Sequence, residues 1–444
     1  MVMAVVVQQG DSASPAQRVV GDLFDHHMSQ FELGGGRLLP LVAANKALSL
    51  DSDTWAFGFT AAGGGPSGAP PLGTVTVPGT MEAQGYGPPS SNMRHSNGQT
   101  CSYGCLNQSD YHLPIHPLAN FSRTFVVPSE WKELAGSAPP RSYDVVLRVE
   151  RVHRVGQLFV DGQRLANLSN YLVPTEVVLP AAVLAGGVHR LDIVVDSWYD
   201  PARNNYDSAA EFLEISVLDG VPNGTISYTG VSGHVDLLFR QTVASLVSAS
   251  LQITPMQNAE TKAWSIDVRV EVTGDADAVD FSVFSSATPR LRVATSTAHV
   301  VGGVAEASIE LDCKSHCSPW SPDSPTLYTM VASLAGGNQQ MSRFGLRVLR
   351  IEGAAFFLND APLFLRGYGD DATDYVYSGL PTAPGPSVTI EAYRKKLRLA
   401  KMLGFNFFRP HSQVVTPEHA WASAEEGMLL SLEMPIANYV KFST

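Results

Sequence analysis

Charged residues are scarce in this sequence, and basic residues are scarcer than acidic ones. They occupy 16% of the 444 positions, and 30 lysines and arginines stand against 42 aspartates and glutamates, which gives a net charge of −12. A nucleic-acid surface needs clustered basic side chains to neutralise phosphates, and we find no cluster that would do so. The hydrophobic fraction of 44% is that of an ordinary globular protein. We therefore expect no nucleic-acid partner.

Long apolar runs are also missing. No stretch approaches the roughly 18 residues that a membrane-spanning helix needs, so no membrane span is expected. The opening "MVMAVVVQQG" has only a short apolar run and no basic residue before it, which makes it a poor secretory signal. Residues 1–30 show little periodicity and are predicted to be a leader or a frayed end.

Cysteine is rare but regularly spaced. The four cysteines form two pairs with three intervening residues each, whereas zinc knuckles usually have two. This spacing favours two local disulfides, with free thiols and a metal site as the alternatives, and no metal or other cofactor is expected. Acceptor sequons at four asparagines favour a secreted protein whose true N-terminus is missing or mis-called. The cysteines are Cys101, Cys105, Cys313 and Cys317, and the asparagines are Asn107, Asn120, Asn167 and Asn223.

Residues 31–240 have the pattern of short strands. "SYDVVLRVERV" alternates apolar and polar residues, and Asp161-Gly162 separates two short apolar runs as in a β-hairpin. Because such strands recur with no convincing long helix between them, we predict a β-sandwich or jelly roll.

Two further units are predicted after it. Residues 241–350 contain alternating segments such as "SIDVRVEVTG", and their length suits an immunoglobulin-like sandwich. In residues 351–444 the pattern changes to strand, helix, strand, helix, strand. Gly404 ends the first helix, and Thr416-Pro417 begins the second. This order predicts the start of a parallel α/β sheet.

Several motifs follow one another as in glycoside hydrolase family 2. "ALSLDSDTWAFGF", "VTVPGTMEAQGYG" and "FSRTFVVPSEW" resemble its sugar-binding jelly roll, and "WSPDSPTLYTM" and "RFGLRVL" resemble the end of its immunoglobulin-like domain. "FFLNDAPLFLRGYGDD" and "GFNFFRPHS…AEEGMLLSLEMP" resemble the first three strands of its (β/α)8 barrel. The resemblance implies a mostly β multidomain protein that ends in an incomplete barrel. It departs from the commoner pattern at Gly369–Asp371 and after Arg409, which points to an outlying subgroup.

The resemblance also implies a sugar site at the carboxyl ends of the barrel strands. Arg409 would orient the catalytic nucleophile and His411 would touch the substrate, while carboxylates would grip sugar hydroxyls. Each candidate also has an ordinary interpretation, as a solvated turn, a barrel ion pair or a surface loop, and Arg366 is predicted to be structural. The predicted substrate-binding residues are Asp370, Asp371, Arg409, His411, Glu433, Trp198 and Asp200.

The catalytic residues themselves are expected elsewhere. The family hydrolyses β-linked sugars with two glutamates, which by resemblance follow barrel strands four and seven. Neither is expected in these 444 residues, so this chain is expected to be inactive alone. Residues beyond about 351 are predicted to be loosely held, docked on the β domains, or completed by another polypeptide. The expected partners are a carbohydrate substrate and either a second copy in a homo-oligomer or a completing chain. A non-catalytic carbohydrate-binding protein and a structural extracellular β protein are the alternatives.

Overall fold

The computed structural model describes residues 32–33, 37–38, 42–60, 71–80, 84, 118–139, 142–152, 155–168, 173–196, 230–285, 291–311, 317–371, 390–411 and 415–432. Strands dominate these ranges, and the three units follow one another along the chain.

The first unit is built from two main antiparallel sheets. Along the chain it contains β1 (Glu32–Leu33), β2 (Arg37–Leu38), β3 (Lys46–Ser49), β4 (Ser52–Thr60), β5 (Gly73–Val77), β6 (Gly79–Thr80), β7 (Leu118–Phe125), α1 (Ser129–Gly136), β8 (Tyr143–Val149), β9 (Val155–Val160), β10 (Gln163–Leu168), β11 (Thr175–Val178), α2 (Ala181–Ala185), β12 (His189–Asp196), β13 (Gly230–Val231) and β14 (Val235–Gln241). A six-stranded sheet has the order β10-β9-β12-β7-β4-β5, and a four-stranded sheet has the order β11-β8-β14-β3. Two short pairs, β1-β2 and β13-β6, complete it.

Alternating side chains from both sheets form one core. Trp55 and Phe121 of the six-stranded sheet and Leu147 and Phe239 of the four-stranded sheet are fully buried in the same cluster. Because strand side chains alternate between faces, the other residues of β7, such as Asn120 and Ser122, lie on the outer face. The turn between β9 and β10 is the predicted hairpin: Asp161 and Gly162 both have positive φ, 50° and 79°.

The second unit is an eight-stranded antiparallel sheet around its own core. Its strands are β15 (Ala244–Leu246), β16 (Gln252–Gln257), β17 (Trp264–Gly274), β18 (Ala278–Ser285), β19 (Arg292–Val301), β20 (Val304–Glu310), β21 (Tyr328–Leu334) and β22 (Gln339–Phe344). The order is β15-β17-β20-β19-β18-β21-β22, with β16 paired to β17. Ala43 packs in this second core although it lies between β2 and β3 of the first unit in sequence, and Ala44 pairs with Gln339. The two β units are therefore joined by more than one segment of chain.

The third unit begins with an antiparallel hairpin sheet and continues as a parallel sheet. Its elements are β23 (Leu349–Glu352), β24 (Ala355–Leu358), β25 (Ala361–Leu363), β26 (Gly367–Asp371), α3 (Ile390–Met402), β27 (Phe407–His411), α4 (Pro417–Glu425) and β28 (Leu429–Leu430). Strands β26, β27 and β28 are parallel neighbours in that order. The predicted alternation of strands and helices is confirmed for these residues.

The ends of both helices follow from their sequence. Gly404 after α3 has φ 87°, a conformation that glycine adopts without steric cost. Thr416 caps α4 by accepting a hydrogen bond from the backbone N–H of His419 (3.2 Å), with Pro417 at the first helical position. The glycine stop and the threonine cap thus leave β27 between the two helices in sequence.

Candidate functional site

Two parallel strands end side by side in the third unit. In the register of β26 and β27, Gly369 pairs with Arg409, Asp370 with Pro410 and Asp371 with His411. Paired residues of neighbouring strands lie about 4.8 Å apart, so the acidic pair and the Arg-Pro-His segment meet at one edge of the sheet. The structure thus brings four of the predicted site residues together at backbone level.

The packing of these strands against the helices determines the face of the sheet on which Arg409 lies. Phe408 is fully buried and stacks on Tyr368 (5.7 Å between ring centroids) and on His419 (4.8 Å). Since side chains alternate along a strand, Arg409 lies on the opposite side from Phe408, where its side chain is exposed. Its strand neighbour Gly369 has open space where a Cβ would be. A guanidinium in this position is accessible to a carboxylate or a sugar.

Arg366 has a structural role beneath the sheet. Its Nε donates to the carbonyl of Gly404 (2.7 Å), and its backbone N–H donates to Oδ1 of Asn406 (2.8 Å). Asn406 also donates to the carbonyl of Phe364 (2.9 Å). These bonds tie the start of β26 to the end of α3 and to β27, which sets the register at the strand ends.

A partly buried histidine joins α4 to the first unit. His234, just before β14, places Nδ1 2.6 Å from Oδ2 of Asp51 and Nε2 2.9 Å from Oε1 of Glu418. A ring nitrogen that faces a carboxylate at this distance acts as a donor, so the two contacts favour the doubly protonated, positively charged ring. Glu418 is 7% exposed, which makes this a buried ionic contact between two units.

A fourth charged group completes this cluster. Oε2 of Glu150 accepts a hydrogen bond from the backbone N–H of His234 (3.0 Å), and Arg148 lies 3.9 Å from its Oε1. Burial alone would raise the pKa of Glu150, but the charges of His234, Arg148 and Arg151, with the backbone N–H, lower this pKa to about 2. Glu150 therefore stays ionised through the ordinary pH range.

A second ionic cluster joins α4 to the second unit. Glu425 is salt-bridged to Arg394 of α3 (2.6 Å, Nη2 to Oε2) and lies 3.6 Å from Nη1 of Arg343 on β22. Burial raises the pKa of Glu425 to about 7, against the opposing effect of Arg394. Burial also lowers the pKa of Arg343 to about 9. These side chains are therefore largely removed from water, so keeping them charged costs free energy.

Trp320 anchors the same interface. Its side chain is fully buried, and its Nε1 donates to the backbone carbonyl of Ala424 (2.8 Å). The guanidinium of Arg347 stands 4.9 Å from its ring centroid. Lys401 donates to the carbonyl of Pro322, so α3 also contacts this loop. Of the three predicted arrangements for residues beyond 351, the structure shows docking on both β units.

The other predicted residues are described in part or not at all. Trp198, Asp200, Glu433, Cys101, Cys105 and Cys313 lie outside the described residues, and the side chains of Asp370, Asp371 and His411 do too. Cys317 is disulfide-bonded. The pairing within Cys101–Cys105 and Cys313–Cys317 stays a prediction.

Sequence reasoning missed the two ionic clusters. His234 and Asp51 are 183 positions apart in sequence, and His234 and Glu418 are 184 apart. No local pattern marks such pairs; the one available signal is a histidine and two glutamates within otherwise apolar segments.

Among the residues that the structure describes, no group of three or more His, Cys, Asp or Glu side chains is arranged to hold a metal ion. Nor does any helix in those ranges have the length and apolarity needed to cross a membrane.

Comparison with known proteins gives a family model that matches part of the chain and a curated relative. A sequence model described as glycosyl hydrolases family 2 matches residues 246–347. A curated β-glucuronidase from Streptococcus agalactiae is 22% identical over 315 residues, which cover 69% of this chain and 49% of that protein. The chain therefore spans about half the length of this relative.

Solved structures share the fold. The β-glucuronidase of Bifidobacterium dentium, complexed with coumarin-3-O-glucuronide, superposes with a TM-score of 0.63 at 19% identity, over 88% of this chain and 61% of its own. β-Glucuronidase 3 of Bacteroides uniformis gives 0.62 at 20% identity over 90% of this chain and 46% of its own. A family 2 β-galacturonidase of Eisenbergiella tayi gives 0.56 at 22% identity, over 87% and 56%. At these identities the likeness shows the fold, which is mostly β and multidomain.

Proposed function

We propose that the chain belongs to glycoside hydrolase family 2 and that it hydrolyses O-glycosidic bonds of β-linked sugars when its barrel is complete. The observation that carries the proposal is the parallel register of β26 and β27, which places Asp371 beside His411 and Gly369 beside Arg409. Enzymes with (β/α)8 barrels build their sites from such strand ends.

We propose a β-linked uronide as the substrate. Relatives named β-glucuronidase and β-galacturonidase support this choice over a neutral galactoside. The departure from the commoner family pattern after Arg409 fits a subgroup other than the β-galactosidases.

The strand-end residues are given binding roles. Asp370, Asp371 and Glu433 would accept hydrogen bonds from sugar hydroxyls, and His411 would contact the substrate. Arg409 would hold the nucleophilic carboxylate by a fork of hydrogen bonds. Trp198 and Asp200 would reach the sugar from the first unit.

The chemistry needs two further carboxyl groups. A retaining glycosidase places its acid/base and its nucleophile about 5–5.5 Å apart, so that the nucleophile forms a glycosyl-enzyme intermediate that water then hydrolyses. We propose that both glutamates come from barrel strands outside residues 1–444, supplied by further chain or by another polypeptide. Residues 1–444 alone would then bind sugar without turnover.

The architecture follows the same proposal. Residues 31–240 would be the jelly roll, residues 241–350 the immunoglobulin-like sandwich, and residues 351–444 the first arc of the barrel, after a leader at 1–30. A secreted location is proposed, with the two cysteine pairs as local disulfides.

Hydrolysis assays test the proposal. The purified 444-residue chain is incubated with 4-nitrophenyl β-D-glucuronide and with the β-galactoside, and nitrophenol release is followed. The expected result is no release above the buffer rate from either compound. Release that persists in the purified chain, and that is lost on heating, would show that the chain holds its own catalytic pair.

A further inference from the structure

Two acceptor sequons of the first unit begin in strands that the structure describes. Asn120 lies in β7 with Ser122 two positions later, and Asn167 lies in β10 with Ser169 two positions later. Neither intervening residue is proline, so each asparagine can in principle receive an N-linked glycan, which is bulky and needs a surface position. The two motifs are equivalent in sequence, and the environment of each asparagine therefore decides between them.

Both polar residues of the first motif take part in buried contacts. Asn120 is 5% exposed, and its Nδ2, the atom that would carry the glycan, donates to Oδ1 of Asp192 (3.3 Å). The hydroxyl of Ser122 also donates to Asp192, and it accepts from Nη2 of Arg190 (3.2 Å). Strand β7 lies between β12 and β4. A glycan on Asn120 would break this network and take a donor from the carboxylate of Asp192, which is 1% exposed.

Asn167 has the opposite environment. Its neighbour Leu168 is 2% exposed and packs in the core of the first unit, so Asn167 lies on the other face of the strand, where its side chain is exposed. Its Oδ1 accepts from Nη2 of Arg164, whereas its Nδ2 donates to no atom in the part of the chain that the structure describes. The amide nitrogen is therefore held at the surface, where a sugar can be attached to it.

The position of β10 in the sheet leaves room for a sugar chain. It is the last strand of the six-stranded order, and among the described strands it pairs with β9 on one side only, where Asn167 is opposite Gln157. Natural proteins cover or charge such an edge, because its unpaired backbone can otherwise pair with another chain. A glycan at Asn167 would extend over this edge without displacing a neighbouring strand.

We propose that Asn167 is a position at which the folded first unit carries an N-linked glycan, and that Asn120, which has the same motif, is not. The transfer joins Nδ2 of Asn167 to the anomeric carbon of a lipid-linked oligosaccharide. The bond from that carbon to the lipid diphosphate breaks, the lipid diphosphate leaves, and the amide nitrogen loses one proton, with no change of oxidation state. This inference rests on the proposed secreted location.

The test supplies the secretory route and so separates the acceptor from the native location. The 444-residue chain is produced in a eukaryotic host behind a cleavable secretion signal, and the folded fraction is isolated by gel filtration. Removal of glycans by peptide N-glycosidase F in heavy-oxygen water turns each glycosylated asparagine into a labelled aspartate, which peptide mass spectrometry locates.

A matched pair of variants checks the motif itself. Asn107→Gln and Asn223→Gln first remove the two acceptor sequons that lie outside the described residues. In this background Ser169→Ala removes the motif but keeps Asn167, whereas Ser169→Thr keeps both. If the background yields no folded fraction, the peptide map of the natural sequence decides the question.

The expected label is on Asn167 and absent from Asn120. Glycan removal should increase the electrophoretic mobility of the background chain and of Ser169→Thr by the same step, and should leave Ser169→Ala unchanged. An unlabelled Asn167, a label on Asn120 in the folded fraction, or a mobility step that persists in Ser169→Ala would overturn the inference. A glycan found at Asn167 in a protein whose own N-terminus carries no secretion signal would overturn only the proposed location.

Discussion

At the residue scale, the third unit depends on charges buried between units. His234 is the hydrogen-bond partner shared by Asp51 and Glu418, and Glu150 accepts from its backbone N–H. Taking these groups out of water is costly, so the cluster is stable only while all its members are present. The histidine is the member that the others cannot replace.

Replacing His234 by alanine should therefore be strongly destabilising. The change removes the histidine partner of the partly buried Asp51 and of the buried Glu418, which we expect to cost about 3–5 kcal/mol of unfolding free energy. Urea denaturation followed by tryptophan fluorescence measures the loss. His299→Ala, at an exposed position of β19, is the matched control and should change stability by less than about 0.5 kcal/mol. Equal effects of the two changes would refute the role of the cluster.

Two glutamates should give stability opposite dependences on pH. The pKa of Glu150 is lowered from 4.5 to about 2, so its contribution is present above pH 4.5 and is lost as pH falls towards 2. The pKa of Glu425 is raised from 4.5 to about 7, so its contribution is present below pH 4.5 and is lost as pH rises through 7. Each effect is at most about 3 kcal/mol.

Urea-denaturation midpoints measured as a function of pH separate the contributions of Glu150 and Glu425. Glu150→Gln should flatten the acid limb of the stability curve, and Glu425→Gln should flatten the limb between pH 4.5 and 7. A curve in which either substitution leaves its own limb unchanged would contradict the assignment.

At the residue scale the sequence predicts few of the side-chain contacts between units. Arg409 and His411 were predicted as site residues because they lie at the end of a recognisable strand, and their roles stay a prediction. His234 and Glu425 were not found, because their partners lie on other units and no local spacing connects them. Asn120 matches an acceptor sequon, yet its side chain is buried in the middle of β7. Burial of this kind depends on tertiary packing and not on the local motif.

At the element scale, sequence signals were reliable where one residue type has a unique conformational role. Asp161-Gly162 forms the predicted two-residue turn, Thr416-Pro417 begins α4, and Gly404 ends α3. Each depends only on local backbone geometry. The contribution of Ala43 to the second core could not be predicted in this way, because it requires knowing how the units meet.

Two glycines of the third unit provide a matched pair for testing its docking. Both have positive φ, 87° at Gly404 and 73° at Gly427. A Cβ at Gly404 would meet nothing within 4 Å, whereas at Gly427 it would lie 2.1 Å from the carbonyl oxygen of Pro322 in the second unit. Gly404→Ala should thus cost only the left-handed backbone strain, about 1 kcal/mol.

Gly427→Ala should cost clearly more than Gly404→Ala. The added methyl group must push α4 and β28 away from the second unit, so both the strain and the lost contacts contribute. Thermal unfolding of the two variants gives the difference. If they have the same Tm, the contact with Pro322 is absent in solution.

At the scale of the whole molecule, the parallel sheet is docked but incompletely covered. Phe405, Phe407, Leu429 and Leu430 are half-buried. Elsewhere in the unit, Phe364, Met402 and Leu403 are 75%, 82% and 77% exposed. Exposed apolar side chains at this density are unusual for a surface without a partner. We therefore expect the third unit to be the least stable of the three.

Limited proteolysis should detect the lower stability of the third unit. Cleavage is expected first beyond Ile351, with the two β units surviving as a stable fragment. Trp320→Phe removes the hydrogen bond to the carbonyl of Ala424 and should accelerate that cleavage several-fold without exposing the β units. Uniform digestion along the chain would show that the third unit is as firmly held as the others.

The account as a whole requires that a sugar be held where β26 and β27 end. The most direct measurement is calorimetric titration of methyl β-D-glucuronide into the 444-residue chain and into its Asp371→Ala and His411→Ala variants. The account predicts saturable binding that each substitution weakens by about tenfold. Equal affinity of the three proteins, or no binding to any of them, would contradict it.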